Sequence, residues 1–183
     1  LGNIIADKIS NALKNFENID GDIKIAYKTK IYSHRFPTKE EIKQLENTFN
    51  SIELPKDSKL DASSPKDLFN VCAAERALKF TFSARNYYNV RMQVISIGHI
   101  LIFALPGEVF SQYGEKIKRA FPLNTCFFAC LANNNWSYMP TKECYLPELY
   151  ESLYGSALFN PEDVENIFDE FIDLAKEINI SFK

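Results

Sequence analysis

Two side chains near the middle of the sequence have residue types and positions that suit a small reactive site. Glu108 directly follows an apolar segment, 99–105, and Tyr138 lies just beyond a second apolar segment, 125–132. A carboxylate accepts protons and donates oxygen lone pairs, and a phenol both donates and accepts hydrogen bonds. If the two segments bring these groups together, the sequence predicts a site with oxygen ligands and acid–base capacity.

Each of these residues also has a structural explanation, which is the commoner one for a residue taken singly. Glu108 would open a helix, where the macrodipole favours an acidic side chain. Tyr138 fits a core aromatic residue with its hydroxyl in water. The asparagines at 133–135 are typical of a turn.

The elements around Glu108 and Tyr138 form a predicted strand–helix–strand unit. The pattern predicts a strand over 99–105, a helix over 109–120 and a strand over 125–132, and the second strand is apolar enough to be buried on both faces. If the two strands are parallel, the crossover is right-handed and both strands end at one edge of the sheet. Ligands of open α/β sheets bind at that edge.

The remaining pattern predicts an α/β protein, with a mixed sheet and flanking helices, in a single domain or domain fragment spanning 1–183. Residues 23–32 and 90–97 alternate as strands, the second antiparallel to 99–105, and 52–63 reads as a loop. A capping box starting at Thr38 opens one of the predicted helices. The predicted helices cover residues 2–17, 38–49, 64–84 and 160–178.

Composition and motifs exclude several classes of function. The chain has 183 residues, 46% of them hydrophobic, and a net charge of −3, so no basic surplus points to nucleic acid. No apolar run reaches membrane-spanning length.

His34 and His99 are too far apart in sequence to suggest a zinc triad, and structural roles are favoured for both. Cys126 and Cys130 allow a metal or disulfide pair, but two buried thiols are the favoured interpretation.

Two segments resemble the neutral/alkaline (non-lysosomal) ceramidase family. Ile97-Gly98-His99, followed by an apolar strand and Pro106-Gly107-Glu108, is similar to a family segment in which I-G-D leads to P-G-E. Residues 131–145 resemble the block L-x-N-x-Y-x-x-Y-x-x-T-x-E-x-Y, and Tyr150-Glu151 matches a Y-E pair that follows it. Asn135 stands where the block has its first tyrosine, and residues 1–90 agree with the family only in pattern.

The resemblance implies the C-terminal half of a ceramidase-like catalytic domain, hence part of a zinc-dependent amidohydrolase that cleaves the N-acyl bond of ceramide-like lipids. It assigns Glu108 and Tyr138 as two zinc ligands and Tyr150 as a group that assists at the scissile carbonyl. The family's other zinc ligands are histidines from the N-terminal half. The chain begins at Leu1 inside a helical pattern, so we expect a piece of a longer protein. Such a piece would be inactive alone and would bind zinc weakly or not at all.

Alternatives to this hypothesis remain open at the level of sequence. The chain could be a binding or scaffolding α/β domain without the chemistry, or part of a hydrolase of another N-acyl substrate. A carboxylate-based hydrolase is disfavoured because no base–nucleophile pair is visible. Since the absent half would cover part of the sheet, we also expect the chain to self-associate. The compartment is left undetermined by the sequence.

Overall fold

A computed structural model describes residues 1–14, 18–50, 72–79, 85–146 and 149–179 of the chain, without the side chains of Phe49 and Asn179. Within these ranges the helices are α1 (Gly2–Ala12), α2 (Lys39–Asn50), α3 (72–79), α4 (Ser111–Ala120) and α5 (Pro161–Asn179). The strands are β1 (Ile23–Ser33), β2 (Tyr87–Ile97), β3 (Ile100–Ala104), β4 (Glu108–Val109), β5 (Thr125–Ala129) and β6 (Tyr138–Met139). Two short 3-10 turns lie at Lys142–Cys144 and Tyr150–Ser152.

A four-stranded mixed sheet organises the fold in the order β1-β2-β3-β5, and the predicted fold class is confirmed. β1, β2 and β3 pair antiparallel, whereas β5 lies parallel to β3. α4 makes the crossover between the two parallel strands, as the strand–helix–strand pattern predicts. Glycine is required in the tight β2–β3 turn: Gly98 has a φ of 53°, and a Cβ there would lie 2.6 Å from the Asp20 carbonyl oxygen.

One face of the sheet carries the core. Val94 on β2 and Phe103 on β3 are fully buried, and α5 packs across β1 and β2 with its apolar side. Phe103 contacts Phe171 of α5 edge-on, with a centroid separation of 5.5 Å. Tyr113 of α4 stacks on Phe168 of α5 at 3.7 Å, which joins both helices over this face. The predicted helix over 160–178 is therefore confirmed, together with its buried side.

The predicted capping box at the start of α2 is confirmed in both directions. The Glu41 amide donates to Thr38 Oγ1 at 3.1 Å, and the Thr38 amide donates to Glu41 Oε2 at 2.8 Å. The carboxylate of Glu41 also receives a hydrogen bond from Arg35, which ties the helix start to the end of β1.

Other boundaries differ from the prediction. α1 ends at Ala12, and α4 begins at Ser111 because Glu108 and Val109 pair with β6 instead of starting the helix. Residues 72–79 are helical inside the predicted helix over 64–84. The other residues of that predicted helix and the predicted loop over 52–63 lie outside the described residues. None of the helices in the described part of the chain has the length and apolar character of a membrane span.

The predicted strand that begins at Thr125 is confirmed, but its predicted end and its predicted burial on both faces were wrong. β5 ends at Ala129 instead of 132, and it is an edge strand with Phe127 54% exposed, so it is not buried on both faces. Cys130 lies in the turn after β5 and is exposed, while Cys126 is half-buried, so they are not a buried pair within one strand. All four cysteine thiols are free.

Candidate functional site

Backbone hydrogen bonds bind the turn after β3 to the loop after β5. The Leu131 amide donates to the Gly107 carbonyl at 3.1 Å, and the Trp136 amide donates to the Pro106 carbonyl at 2.7 Å. The Glu108 amide then donates to the Ser137 carbonyl at 2.8 Å. These bonds set β4 beside β6 in parallel, with Glu108 in register with Tyr138.

Gly107 allows this close approach. A Cβ at this position would lie 3.1 Å from the Ser137 carbonyl oxygen and 2.8 Å from Cε of Met139, whose side chain is fully buried. A larger residue would therefore push the 137–139 segment away from Glu108. The glycine of the Pro-Gly-Glu turn thus has a packing role next to the site.

The loop that leads to Tyr138 is held in an unusual backbone conformation. Leu131, Asn133 and Ser137 have φ values of 55°, 70° and 66°, in the left-handed region that non-glycine residues seldom occupy. The Asn135 side chain accepts a hydrogen bond from the Ser137 amide at 2.9 Å, and the Ser137 hydroxyl donates to the Ser156 carbonyl. The asparagine segment is a turn, as the structural explanation predicts, and the turn also positions Tyr138.

Glu108 and Tyr138 meet at the edge predicted from the strand–helix–strand pattern. Burial raises the pKa of the Tyr138 phenol, and the neighbouring Glu108 carboxylate raises it further. Both residues are only partly buried, so the pair remains reachable from solvent. The structure therefore places these two predicted site residues side by side on adjacent strands.

Tyr150 belongs to the same group of side chains. Its ring meets that of Tyr138 edge-on at a centroid separation of 5.8 Å. Arg76 of α3 donates a hydrogen bond to the Tyr150 hydroxyl at 3.2 Å. Sequence analysis did not single out Arg76, because one arginine on a helix carries no signal of its own. The structure thus adds a cation to the acid and the two phenols.

The oxygen donors of this group meet part of what a zinc ion needs. A tetrahedral zinc site takes four ligands, three or four of them from protein, at about 2.0–2.3 Å. The carboxylate of Glu108 and the hydroxyl of Tyr138 are two adjacent oxygen donors, so they suit one half of such a site. No group of three or more His, Cys, Asp or Glu side chains suited to a metal occurs among the described residues.

The two histidines lie away from this pair in the fold. His34 is buried at the end of β1, and its Nε2 is 2.9 Å from the Tyr154 hydroxyl. Its ring is surrounded by Phe36, Tyr88 and Tyr154, in agreement with the structural role favoured from the sequence. His99 is exposed in the β2–β3 turn, at the opposite end of β3 from Glu108.

Comparison with known proteins concerns chiefly the fold. The chain superposes on the neutral ceramidase of Pseudomonas aeruginosa with a TM-score of 0.50, at 18% identity over 86% of this chain and 28% of that chain. The fold is ceramidase-like. A structure described as a ceramidase complexed with C2 matches with a TM-score of 0.45, at 26% identity over 51% of this chain and 15% of that chain. No family model matches the sequence.

The chain spans 28% and 15% of the lengths of these two ceramidase chains. The likeness therefore concerns how a sheet and its helices are arranged. Because one fold serves many functions, activity has to be argued from the residues at the site.

Proposed function

We propose that this chain is part of a zinc-dependent amidohydrolase that cleaves the N-acyl bond of ceramide-like lipids. The observation that supports the proposal most strongly is the pairing of Glu108 with Tyr138, which lie in register across β4 and β6. The ceramidase-like fold and the motifs around both residues point in the same direction. In this proposal the piece is inactive alone, since two oxygen ligands hold zinc weakly.

Glu108 and Tyr138 would hold the zinc ion, which when bound acts as a Lewis acid and makes water acidic enough to ionise near neutral pH. The Glu108–Ser137 backbone hydrogen bond and the packing at Gly107 would hold the two main chains, and so the two ligand-bearing residues, side by side.

Tyr150 would assist at the carbonyl of the amide. Its ring lies beside Tyr138, so its hydroxyl is near the group that holds the metal. A hydroxyl in this position can donate to the carbonyl oxygen as negative charge develops there in the transition state. Arg76 donates to the Tyr150 oxygen, fixing its position and adding positive charge nearby.

The test uses the longer protein that contains this chain, with bound zinc and fatty-acid release from N-acylsphingosine as two separate measurements. Glu108→Gln should lower both zinc content and rate. Tyr150→Phe should lower the rate about 100-fold or more while zinc content stays the same. Glu115→Gln is the matched control, because Glu115 is an exposed carboxylate on α4 that pairs with Arg119.

Two results would discriminate the alternatives. Unchanged zinc content and unchanged rate in Glu108→Gln would exclude the assigned metal site and favour a scaffolding domain. Zinc that is lost in Glu108→Gln, combined with no release from N-acylsphingosine in the unaltered protein, would keep the metal site and reject this substrate. A panel of other N-acyl compounds would then identify the amide that is cleaved.

A further inference from the structure

Helix α3 packs through small residues against the turn formed by residues 153–157. Ala74 and Ala77 are three positions apart, so they lie on one side of α3, and they are 1% and 0% exposed. Gly155 of the turn lies directly against Ala77. A Cβ on Gly155 would be 3.0 Å from Cα of Ala77 and 3.3 Å from its backbone nitrogen. The two main chains therefore approach each other as closely as a glycine allows.

Position 155 favours glycine for its backbone conformation as well as for space. Gly155 has a φ of 85°, in the left-handed region that residues with side chains seldom adopt. A methyl group here would press on the main chain of Ala77, which cannot rotate away as a flexible side chain can. We therefore expect a larger residue at this position to push α3 away from the turn.

The 153–157 turn is also bound to the main chain of Tyr138. The Tyr138 amide donates a hydrogen bond to the Ser156 carbonyl at 2.9 Å. Ala157, which is fully buried, forms isolated bridges with Ser137 and Tyr138. The turn thus contacts β6 in one direction and α3 in another.

The two residues that follow β1 anchor the turn to the four-stranded sheet. Nε2 of His34 is 2.9 Å from the hydroxyl of Tyr154, and both side chains are buried. The Arg35 amide donates to the carbonyl of Leu158, directly after the turn, at 2.9 Å. Because these contacts hold the turn against the sheet, crowding at position 155 would displace α3 rather than the turn.

Arg76 connects α3 to the proposed site. It precedes Ala77 in sequence, and it donates a hydrogen bond to the Tyr150 hydroxyl at 3.2 Å. The ring of Tyr150 in turn meets that of Tyr138 edge-on. The contacts therefore close a ring that runs from Tyr138 through the turn, α3 and Arg76 to Tyr150. A displacement of α3 would separate Arg76 from Tyr150.

We infer that Gly155 is a positioning residue: it lets α3 lie close enough to the turn for Arg76 to hold Tyr150 in place. The effect on rate rests on the proposed function, whereas the structural effect does not. Misplacing a reacting group by about 1 Å can cost about 100-fold in rate. Since Tyr150 would act in the transition state, its displacement should lower kcat and leave KM unchanged.

A double-mutant cycle in the longer protein that contains this chain tests the effect on rate. Gly155→Ala and Arg76→Ala should each lower kcat for N-acylsphingosine at least about 10-fold, with zinc content unchanged. Because Gly155 acts through Arg76, the combined variant should stay within about 2-fold of Arg76→Ala alone. Gly114→Ala is the control, since a Cβ on Gly114 meets nothing within 4 Å. Effects that multiply in the combined variant, or a single variant as fast as the unaltered protein, would overturn the inference.

The NMR signal of Tyr150 tests the structural effect without relying on activity. In the same protein labelled with ¹³C at tyrosine Cζ, the signal that disappears in Tyr150→Phe belongs to Tyr150. It should shift in the same direction in Gly155→Ala and Arg76→Ala, and stay in place in Gly114→Ala. A signal that does not move in Gly155→Ala would overturn the inference. A signal that shifts as expected in a protein that releases no fatty acid would support the positioning role and reject the proposed function.

Two further variants keep the inference falsifiable if Gly155→Ala does not fold. Ala77→Val enlarges the other side of the same contact, so it should shift the Tyr150 signal in the same way. Arg76→Ala alters an exposed side chain and should leave the fold intact. If the Tyr150 signal stays in place in Arg76→Ala, Gly155 has no group to position and the inference fails.

Discussion

The two faces of the sheet differ in how far their apolar residues are buried. On the covered face, Val94 and Phe103 are completely buried beneath α5 and its aromatic residues. On the opposite face, which we name the open face, Ile25 and Phe127 keep more than half of their surface in solvent. Apolar positions on adjacent strands of one sheet therefore contribute very differently to the folded chain. The comparison indicates that the free energy of unfolding depends chiefly on the covered face.

The comparison of faces is tested most strongly by two phenylalanines on adjacent strands. Phe103→Ala should lower the free energy of unfolding by about 3–5 kcal/mol, because it leaves a cavity between β3 and α5. Phe127→Ala should change it by about 0.5 kcal/mol or less, because the ring is largely hydrated in the folded chain. Urea denaturation at a concentration that keeps the chain monomeric measures both. Equal losses would show that the open face is covered within a single copy.

Substitutions of two glycines test how tightly the chain is packed next to the site. Gly107→Ala should cost about 1–3 kcal/mol, because the new methyl group meets buried Met139 and the Ser137 carbonyl. Gly114 lies within α4 with nothing within 4 Å of a Cβ, so Gly114→Ala should stabilise the chain by about 0.5–1 kcal/mol. Thermal unfolding of both variants measures the difference in sign. A neutral Gly107→Ala would mean that β4 and β6 are not packed as tightly as described.

His34, buried just after β1, should make a smaller contribution to stability that depends on pH. Burial lowers the pKa of His34, and the neighbouring Arg35 lowers it further; Tyr88 and Tyr154 also face the ring. Below the ordinary histidine pKa of about 6.5, the unfolded chain binds a proton that the folded chain does not, so stability falls as the pH drops. The His34 contribution cannot exceed about 1.4 kcal/mol per pH unit. His34→Gln should reduce the loss of stability between pH 7 and 5.5, measured by urea denaturation at each pH. An identical pH dependence in both proteins would contradict a neutral buried His34.

Sequence predicted those parts of the fold that depend on local pattern. Alternation identified β1 and β2, and the Thr38 capping box located the start of α2. The strand–helix–strand pattern also placed Glu108 and Tyr138 at one edge of the sheet, where the structure pairs them in register.

The failures of prediction arise from interactions that local sequence does not contain. The apolar composition of β5 suggested burial on both faces, but burial depends on whether another strand or layer lies beside it, and here β5 is an edge. Two-residue strands such as β4 and β6 exist only through their long-range pairing, so no periodicity reveals them. Arg76 reaches Tyr150 from 74 positions away for the same reason.

We propose that Glu108 and Tyr138 hold one metal ion together, and calorimetric titration with zinc of the longer protein that contains this chain tests this most directly. Glu108→Gln and Tyr138→Phe should each lower the zinc affinity at least about 10-fold, while the controls Glu115→Gln and Tyr27→Phe, both on exposed side chains, should bind like the unaltered protein. Zinc affinity of the longer protein that is the same with and without the double change Glu108→Gln/Tyr138→Phe would contradict the proposal.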